Sequence, residues 1–160
     1  MKLNQYSMKP QDIVVLLKLI ALDNENWQQI PLAYALKISQ SEISQSVARS
    51  KFAGLLDGSG EKVMLQSLFD FLQYGLAVVF PVKPGAVVRG VPTAHSAAPL
   101  NEEISSGEHF VWPFANGNVR GHSISPLYAT VPHPCMPQYL RLLWLMNSFT
   151  HYYLWWMRYV

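Results

Sequence analysis

The stretch from Leu32 to Leu56, LAYALKISQSEISQSVARSKFAGLL, limits what this chain can fold into more than any other part of it. Its first residues form an apolar anchor, in which Ala33 is small enough to let two helices approach closely. The residues Ser39-Gln40-Ser41-Glu42 then fit a capping box, in which the Ser39 hydroxyl accepts a hydrogen bond from the Glu42 backbone and the Glu42 carboxylate reaches back. This spacing predicts a helix-turn-helix, two short helices joined by a tight turn.

The second helix of this pair has a polar outward face. Ile43, Ser46, Val47 and Ser50 share the opposite face, which we expect to be buried. Glutamine can pair with adenine, arginine with guanine, and serine with a base or a phosphate. Because the N-terminal part of a recognition helix meets base edges in the major groove, we expect the helix 40–53 to bind double-stranded DNA; an ordinary helical pair with a solvated face is the alternative. The candidate DNA-binding residues are Gln40, Ser41, Ser44, Gln45 and Arg49, with Lys51 and Lys37 as backbone-positioning charges.

This segment resembles the MarR-type winged-helix regulators of bacteria, with leucine-alanine, a short turn, a serine-rich start to the second helix and an Ala-Gly-Leu-Leu ending. Ser50 stands where that pattern usually has leucine, and Phe52 where it usually has a charged residue. The stretches 68–81, 89–100 and 111–132 are also similar to a bacterial family of uncharacterised winged-helix regulators. The likeness covers roughly residues 8–132. It implies a winged-helix fold and DNA binding, but it identifies no ligand and no operator.

Helical periodicity dominates the first half of the chain. A first helix has apolar residues at i, i+3, i+4 and i+7 from Ile13, with Pro10 in its first turn. A second helix is predicted from about Gln28 to Leu36, and a fourth amphipathic helix follows the pair, with Gly75 placed to cap it. We therefore expect a mainly α chain of the α+β class, whose residues 1–80 form a winged helix-turn-helix domain.

The character of the sequence changes after this domain. Ala77 to Phe80 is a short apolar run that favours a strand, and residues 81–108 are rich in Pro, Gly, Ala and Ser, which is typical of an extended loop. Within and beyond this loop, Arg89 and Arg120 are each followed by glycine. They are candidates to grip phosphates or an acidic partner, with surface arginines beside turn glycines as the alternative.

Two further apolar runs indicate a β-hairpin. Phe110 to Trp112 and Val119 to Ile124 are separated by Asn116-Gly117, a sequence that strongly favours a hairpin turn. We expect residues 81–132 to form an arm, made of an extended loop and this hairpin, that packs on the helical domain. A protein partner could bind through residues 81–124 of this arm.

Residues 133–160 differ from the rest of the chain, because no Asp or Glu follows Glu108 and aromatic residues crowd the end. We predict a hydrophobic C-terminal helix there. We also hypothesise that it is frame-shifted relative to the ancestral gene, which leaves open whether it is the native C-terminus of the resembled family. A membrane helix from Tyr139 to Val160 is the rival, but two arginines, an asparagine and a histidine make spanning costly. A membrane-spanning helix is therefore not expected, and soluble packing or an interfacial helix is favoured instead.

Composition excludes several functional classes. Half of the residues are apolar and 14% are charged, which argues against disorder. Residues 1–76 contain seven Lys or Arg and seven Asp or Glu, so any contact with DNA must come from local placement of charge. Cys135, the single cysteine, excludes an internal disulfide and fits a reducing cytoplasm. The N-terminus lacks the pattern of a signal peptide, and we therefore expect a cytoplasmic protein.

Nothing in the sequence indicates catalysis. A nucleophile elbow and a glycine-rich phosphate loop after a strand are both missing. The run His133-Pro134-Cys135 is too short for a familiar zinc spacing. We expect a non-enzymatic protein without a cofactor or a metal, namely a homodimeric transcriptional regulator. The alternative is a winged-helix protein-protein interaction module that does not bind DNA.

Overall fold

The computed structural model describes residues 7–22, 26–98 and 100–128, and these form a helical core and a small β barrel, an α+β architecture. The predicted helix over residues 133–160, its frame shift and its membrane rival lie outside the described residues. Within the described ranges, none of the helices combines the length and the hydrophobicity needed to cross a bilayer. The core helices are α1 (Pro10–Ala21), α2 (Gln29–Leu36), α3 (Gln40–Phe52), α4 (Leu65–Asp70) and α5 (Leu76–Val79), with a π-helical turn (Phe71–Gly75) between the last two.

Helix α1 is the central helix of the core. The five consecutive residues from Ile13 to Leu17 are all buried, so burial extends well beyond the single stripe that the periodicity predicted. A helix that is apolar on all sides belongs inside a core, and α3 packs directly against it. Pro10 occupies the first turn, and the Asp12 carboxylate accepts a hydrogen bond of 2.8 Å from the Lys9 backbone N–H, which caps the helix.

Helices α2 and α3 are joined by the tight turn that the sequence predicts. Lys37 has a left-handed backbone with φ of +53°, and the N–H of Ile38 donates to the Ala33 carbonyl at 3.1 Å. This geometry ends α2 in the way that glycine more often does. Ser39 then caps α3, since its hydroxyl accepts from the Glu42 backbone N–H at 3.2 Å. The Ser39 half of the capping box is confirmed, whereas the Glu42 carboxylate binds other groups.

The strand predicted at Ala77 to Phe80 is wrong, because Ala77 to Val79 continue a helix that begins at Leu65, and Phe80 follows its end. The expected cap at Gly75 is wrong as well, since the π-helical turn carries the helix through that residue. A short apolar run cannot be assigned to a strand or a buried helix by periodicity alone. Leu68 and Leu76 are buried here and attach this helix to the core.

Three strands form the barrel: β1 (Val87–Pro92), β2 (Phe110–Pro113) and β3 (Val119–Ser123). Strand β1 pairs antiparallel with both β2 and β3, while β2 and β3 pair in parallel and close the barrel. The predicted hairpin between β2 and β3 is therefore wrong, and so is the extended loop over 81–108. That segment contains β1, a 3₁₀ turn (Ala94–Ser96) and α6 (Leu100–Glu103).

Glycines allow the three strands to approach one another closely. Gly90, Gly117 and Gly121 are buried, and a Cβ atom on any of them would overlap backbone atoms of a neighbouring segment. Gly117 does not have the left-handed φ that the predicted hairpin turn would require. Glycine is required at this position because a side chain would not fit beside the Gly90 backbone, and not because of a turn conformation. The barrel packs on the helical core through Trp112, with Leu127 and Tyr128 beyond β3.

Two serines on the buried face of α3 lack hydrogen-bond partners. Ser46 and Ser50 are each 1% exposed, and neither Oγ atom is paired within the described part of the chain. An unsatisfied buried hydroxyl costs about 1–3 kcal/mol. The inner face of α3 therefore carries a local energetic cost.

Replacement of Ser46 by alanine is expected to raise the free energy of unfolding by about 1 kcal/mol, because it removes the unpaired hydroxyl and improves helix propensity. Urea denaturation followed by circular dichroism measures the change. The exposed Ser44→Ala variant on the same helix isolates the propensity contribution, which is about 0.5 kcal/mol or less. A loss of stability in Ser46→Ala would show that the hydroxyl has a stabilising partner.

Candidate nucleic-acid interface

The N-terminal half of α3 presents polar side chains that the described parts of the chain leave uncovered. Gln40, Ser41, Ser44 and Gln45 are all exposed, as is Ala48. On the opposite side, the helix buries Ile43, Ser46 and Ser50 against the core, and Val47 is half-buried. Within the outward face, the Gln45 side-chain amide donates to the Ser41 hydroxyl at 3.4 Å. Most donors and acceptors of this face therefore remain available to a ligand.

Arg49 does not lie on this outward face, contrary to its expected role as a base-reading residue. Its side chain is buried and pairs with Asp12 of α1. The Nε atom donates to one carboxylate oxygen at 2.8 Å and the Nη2 atom to the other at 2.6 Å. A buried carboxylate needs a close cationic partner to offset its lost hydration. Arg49 is therefore committed to the interior and is not available for guanine.

The same guanidinium also reaches Glu42 on its own helix. Arg49 Nη2 donates to Glu42 Oε1 at 2.7 Å, and this oxygen also accepts from Lys9 Nζ at 3.2 Å and Gln11 Nε2 at 3.0 Å. Burial raises the pKa of Glu42, but hydrogen bonds from Arg49, Lys9 and Gln11 outweigh it and place the pKa below its ordinary value. This cluster, residues 9, 11, 12, 42 and 49, ties α3 to α1 and sets the orientation of the exposed face.

The two lysines predicted to contact phosphates flank the outward face. Lys37 lies exposed in the turn before α3. Lys51 is half-buried near the end of α3, and its ammonium donates to the Ser59 carbonyl at 2.9 Å. An ammonium has three donors, so this contact leaves two for a phosphate. Lys51 thus holds the loop after α3 in place and keeps some capacity for a ligand.

The loop that Lys51 contacts is closed by an antiparallel bridge between Leu56 and Val63. Inside it, Asp57 accepts hydrogen bonds from the Ser59 hydroxyl and from the backbone N–H groups of residues 60, 61 and 62. The Ser59 hydroxyl and these backbone donors lower the pKa of Asp57 to about 2. The loop is therefore well ordered by its own hydrogen bonds, and it presents Lys62 to solvent.

Lys62 and the ion cluster were not predicted from the sequence. Lys62 follows a run of glycine and serine that reads as a simple turn, and no residue pattern marks its position after α3. A signal for the cluster did exist, because Asp12 directly precedes five consecutive apolar residues. A carboxylate beside an entirely buried helical run requires a buried cation, and Arg49 is the arginine on the neighbouring helix.

The structure gives no sign of a metal site in its described ranges, where no three His, Cys, Asp or Glu side chains lie together as ligands. Comparison of the chain with models of known protein families, with curated proteins and with solved structures found no match. Functional interpretation therefore depends on the residues and on their geometry.

Proposed function

We propose that this chain is a non-enzymatic, cytoplasmic DNA-binding protein that reads the major groove with the exposed face of α3, in the manner of the MarR-type regulators that it resembles. The observation that supports this proposal is the division of α3 into two faces. Gln40, Ser41, Ser44 and Gln45 are exposed, while Ile43, Ser46 and Ser50 anchor the helix. Such an arrangement lets a short helix enter the groove without loss of its core contacts.

The chemistry of this face favours adenine. A glutamine amide can both donate to and accept from the major-groove edge of adenine, whereas bidentate contact with guanine calls for arginine or lysine. Because Arg49 is bound to Asp12 in the interior, the face lacks the guanine-reading residue first assigned to it. Gln40 and Gln45 would therefore read A·T pairs, and the two serines would accept or donate at bases or phosphates.

Three lysines would hold the DNA backbone. Lys37 precedes α3, Lys51 lies near its end, and Lys62 belongs to the loop 57–62 that follows. We interpret this loop and its bridge at Leu56 as a reduced wing, the element that contacts phosphates beside the recognition helix in winged-helix proteins. Phosphate contacts of this kind fix the register of a protein on the duplex without reading sequence.

The proposal includes a homodimer that acts in transcription. Two copies of α3 in a dimer would meet successive major grooves about 34 Å apart. An operator for such a dimer would be a palindrome with A·T pairs at the positions facing Gln40 and Gln45.

Selection from a random pool of double-stranded DNA tests this function. We expect an enriched sequence with conserved A·T pairs, bound in a salt-dependent manner with a slope of about −0.9 for each phosphate contact. Gln45→Ala should lower affinity by roughly 5- to 150-fold for each half-site that the dimer contacts, since one bidentate contact contributes about 1–3 kcal/mol. It should also relax the preference at one base pair of each half-site.

Gln66→Ala is the matched control, because Gln66 is an exposed glutamine of a different helix, α4, and its side chain donates to Asp70 at 2.9 Å. Its affinity for the selected site should equal that of the wild type. If the pool yields no enriched sequence, or if Gln45→Ala binds like Gln66→Ala, then α3 does not read DNA.

A protein-interaction module remains the second candidate, because several large apolar side chains are exposed. Tyr34 on α2 is 82% exposed and Val78 on α5 is 80% exposed. Exposed apolar patches often mark protein interfaces, and residues 1–76 are electrically neutral. The salt dependence of the affinity distinguishes the two functions. Binding to DNA phosphates weakens steeply as the salt concentration rises, whereas binding through a mostly apolar protein interface would not.

A further inference from the structure

Two arginines face each other across neighbouring strands of the barrel. Arg89 of β1 is directly opposite Arg120 of β3 in the antiparallel register, and both side chains are exposed. Residues opposed in this way project from the same face, with Cβ atoms about 4.5–5.5 Å apart. The two guanidinium groups therefore share one small area of the barrel surface.

Neither guanidinium is neutralised by a carboxylate within the described parts of the chain. The hydrogen bonds and ion pairs of the described residues include none to the side chain of Arg89 or Arg120. Like charges placed directly opposite each other on a sheet destabilise it. The pair thus carries a local charge of +2 and a stability cost in the absence of an anion.

The strand geometry fixes this pair in place. Gly90 and Gly121, the residues after the two arginines, face the interior, where any Cβ would overlap neighbouring backbone. Because side chains alternate between the faces of a strand, inward glycines require the preceding arginines to point outward. The repeated Arg-Gly sequence therefore serves the register of the barrel, and it presents both arginines together.

We propose that Arg89 and Arg120 form a binding site for a phosphate group, distinct from α3 and independent of DNA reading by that helix. A phosphate offers several oxygens to two guanidinium forks, each of which can bind two of them. A doubly charged anion also neutralises both cations at once. A lone carboxylate carries one charge and two oxygens, so it would satisfy one arginine and leave the other.

Thermal unfolding with inorganic phosphate as the probe tests this site. Relative to chloride at matched ionic strength and neutral pH, saturating phosphate should raise the Tm of the wild type by about 2–4 °C. Arg89→Gln and Arg120→Gln should abolish that rise. In chloride, each variant should unfold at the same temperature as the wild type or higher, because the like-charge opposition is gone.

The matched control is Lys83→Gln, which removes one exposed positive charge shortly before β1 and should keep the full response to phosphate. Backbone amide resonances of Arg89 and Arg120 should shift in a saturable way as phosphate is added, and acetate at the same ionic strength should leave them in place. An equal rise in Tm for the wild type and both arginine variants would contradict the proposed phosphate site. So would amide shifts that do not saturate.

A short DNA duplex distinguishes two sources of the phosphate group. Competition between the duplex and inorganic phosphate for the Arg89 and Arg120 resonances would assign the site to the DNA backbone. Phosphate binding that the duplex does not disturb would assign it to a small phosphorylated compound. The Gln45→Ala variant should respond to inorganic phosphate like the wild type, so a failure of the DNA-reading proposal leaves this test intact.

Discussion

Replacing Arg49 by alanine should lower the free energy of unfolding by about 3–5 kcal/mol, the cost of breaking a buried ion pair by removal of one partner. Arg49 makes two hydrogen bonds to Asp12, whose side chain is fully buried. Its removal leaves that carboxylate without a cation in the middle of the core. Urea denaturation, followed by the circular dichroism of the helices, measures the loss.

Arg89→Ala is the matched control, since it deletes the same side chain from an exposed position and should change stability by about 0.5 kcal/mol or less. A second variant removes both charges together. Asp12→Leu with Arg49→Met should recover much of the lost stability, because well-packed apolar residues often replace a buried ion pair at little cost. A single Arg49→Ala variant as stable as Arg89→Ala would show that the pair with Asp12 is not formed in solution.

Gly117→Ala should destabilise the barrel by an amount at the upper end of the range of about 1–3 kcal/mol that overpacking costs. The added Cβ would overlap the backbone of Gly90, and backbone atoms cannot move aside as a flexible side chain can. Gly90 lies in β1 between Pro113 of β2 and Val119 of β3, so displacement of it disturbs both pairings. Amide hydrogen exchange of the three strands should accelerate in the variant.

The Gly117→Asn variant distinguishes two reasons for a glycine at this position, a left-handed turn conformation and close packing. In a hairpin turn with left-handed φ, asparagine would be well tolerated. In the observed barrel it should destabilise at least as much as alanine, because the overlap begins at Cβ. Gly107→Ala, where a Cβ would meet open space, should leave the exchange rates unchanged. Full stability of Gly117→Asn would argue for the hairpin instead of the barrel.

The helices α2 and α3 and the tight turn between them were predictable because they depend on local spacing. Helix α2 starts one residue after the predicted Gln28, and Ser39 caps α3 as its sequence indicates. Apolar periodicity also identified Ile43, Ser46 and Ser50 as the buried face of α3. Caps and helical faces involve residues that are close in the chain, so their physics is readable from the sequence.

Long-range contacts explain what the sequence analysis missed. Arg49 pairs with Asp12, 37 positions earlier, and no local pattern on α3 separates an outward arginine from a buried one. The barrel is a similar case, because β1 pairs antiparallel with both β2 and β3. These pairings replace the hairpin that Asn116-Gly117 favours locally. Both errors share a cause, which is tertiary structure that overrides a local preference.

The closed arrangement of the barrel also limits how a partner can approach it. Each of the three strands pairs with the other two over part of its length, so little of each strand edge is left for another chain to extend. Recruitment by β-strand addition, a common mode of peptide capture, is therefore disfavoured at these strands. A partner of the barrel would then recognise outward side chains, and the paired parts of the short strands are protected against the edge-to-edge association that leads to aggregates.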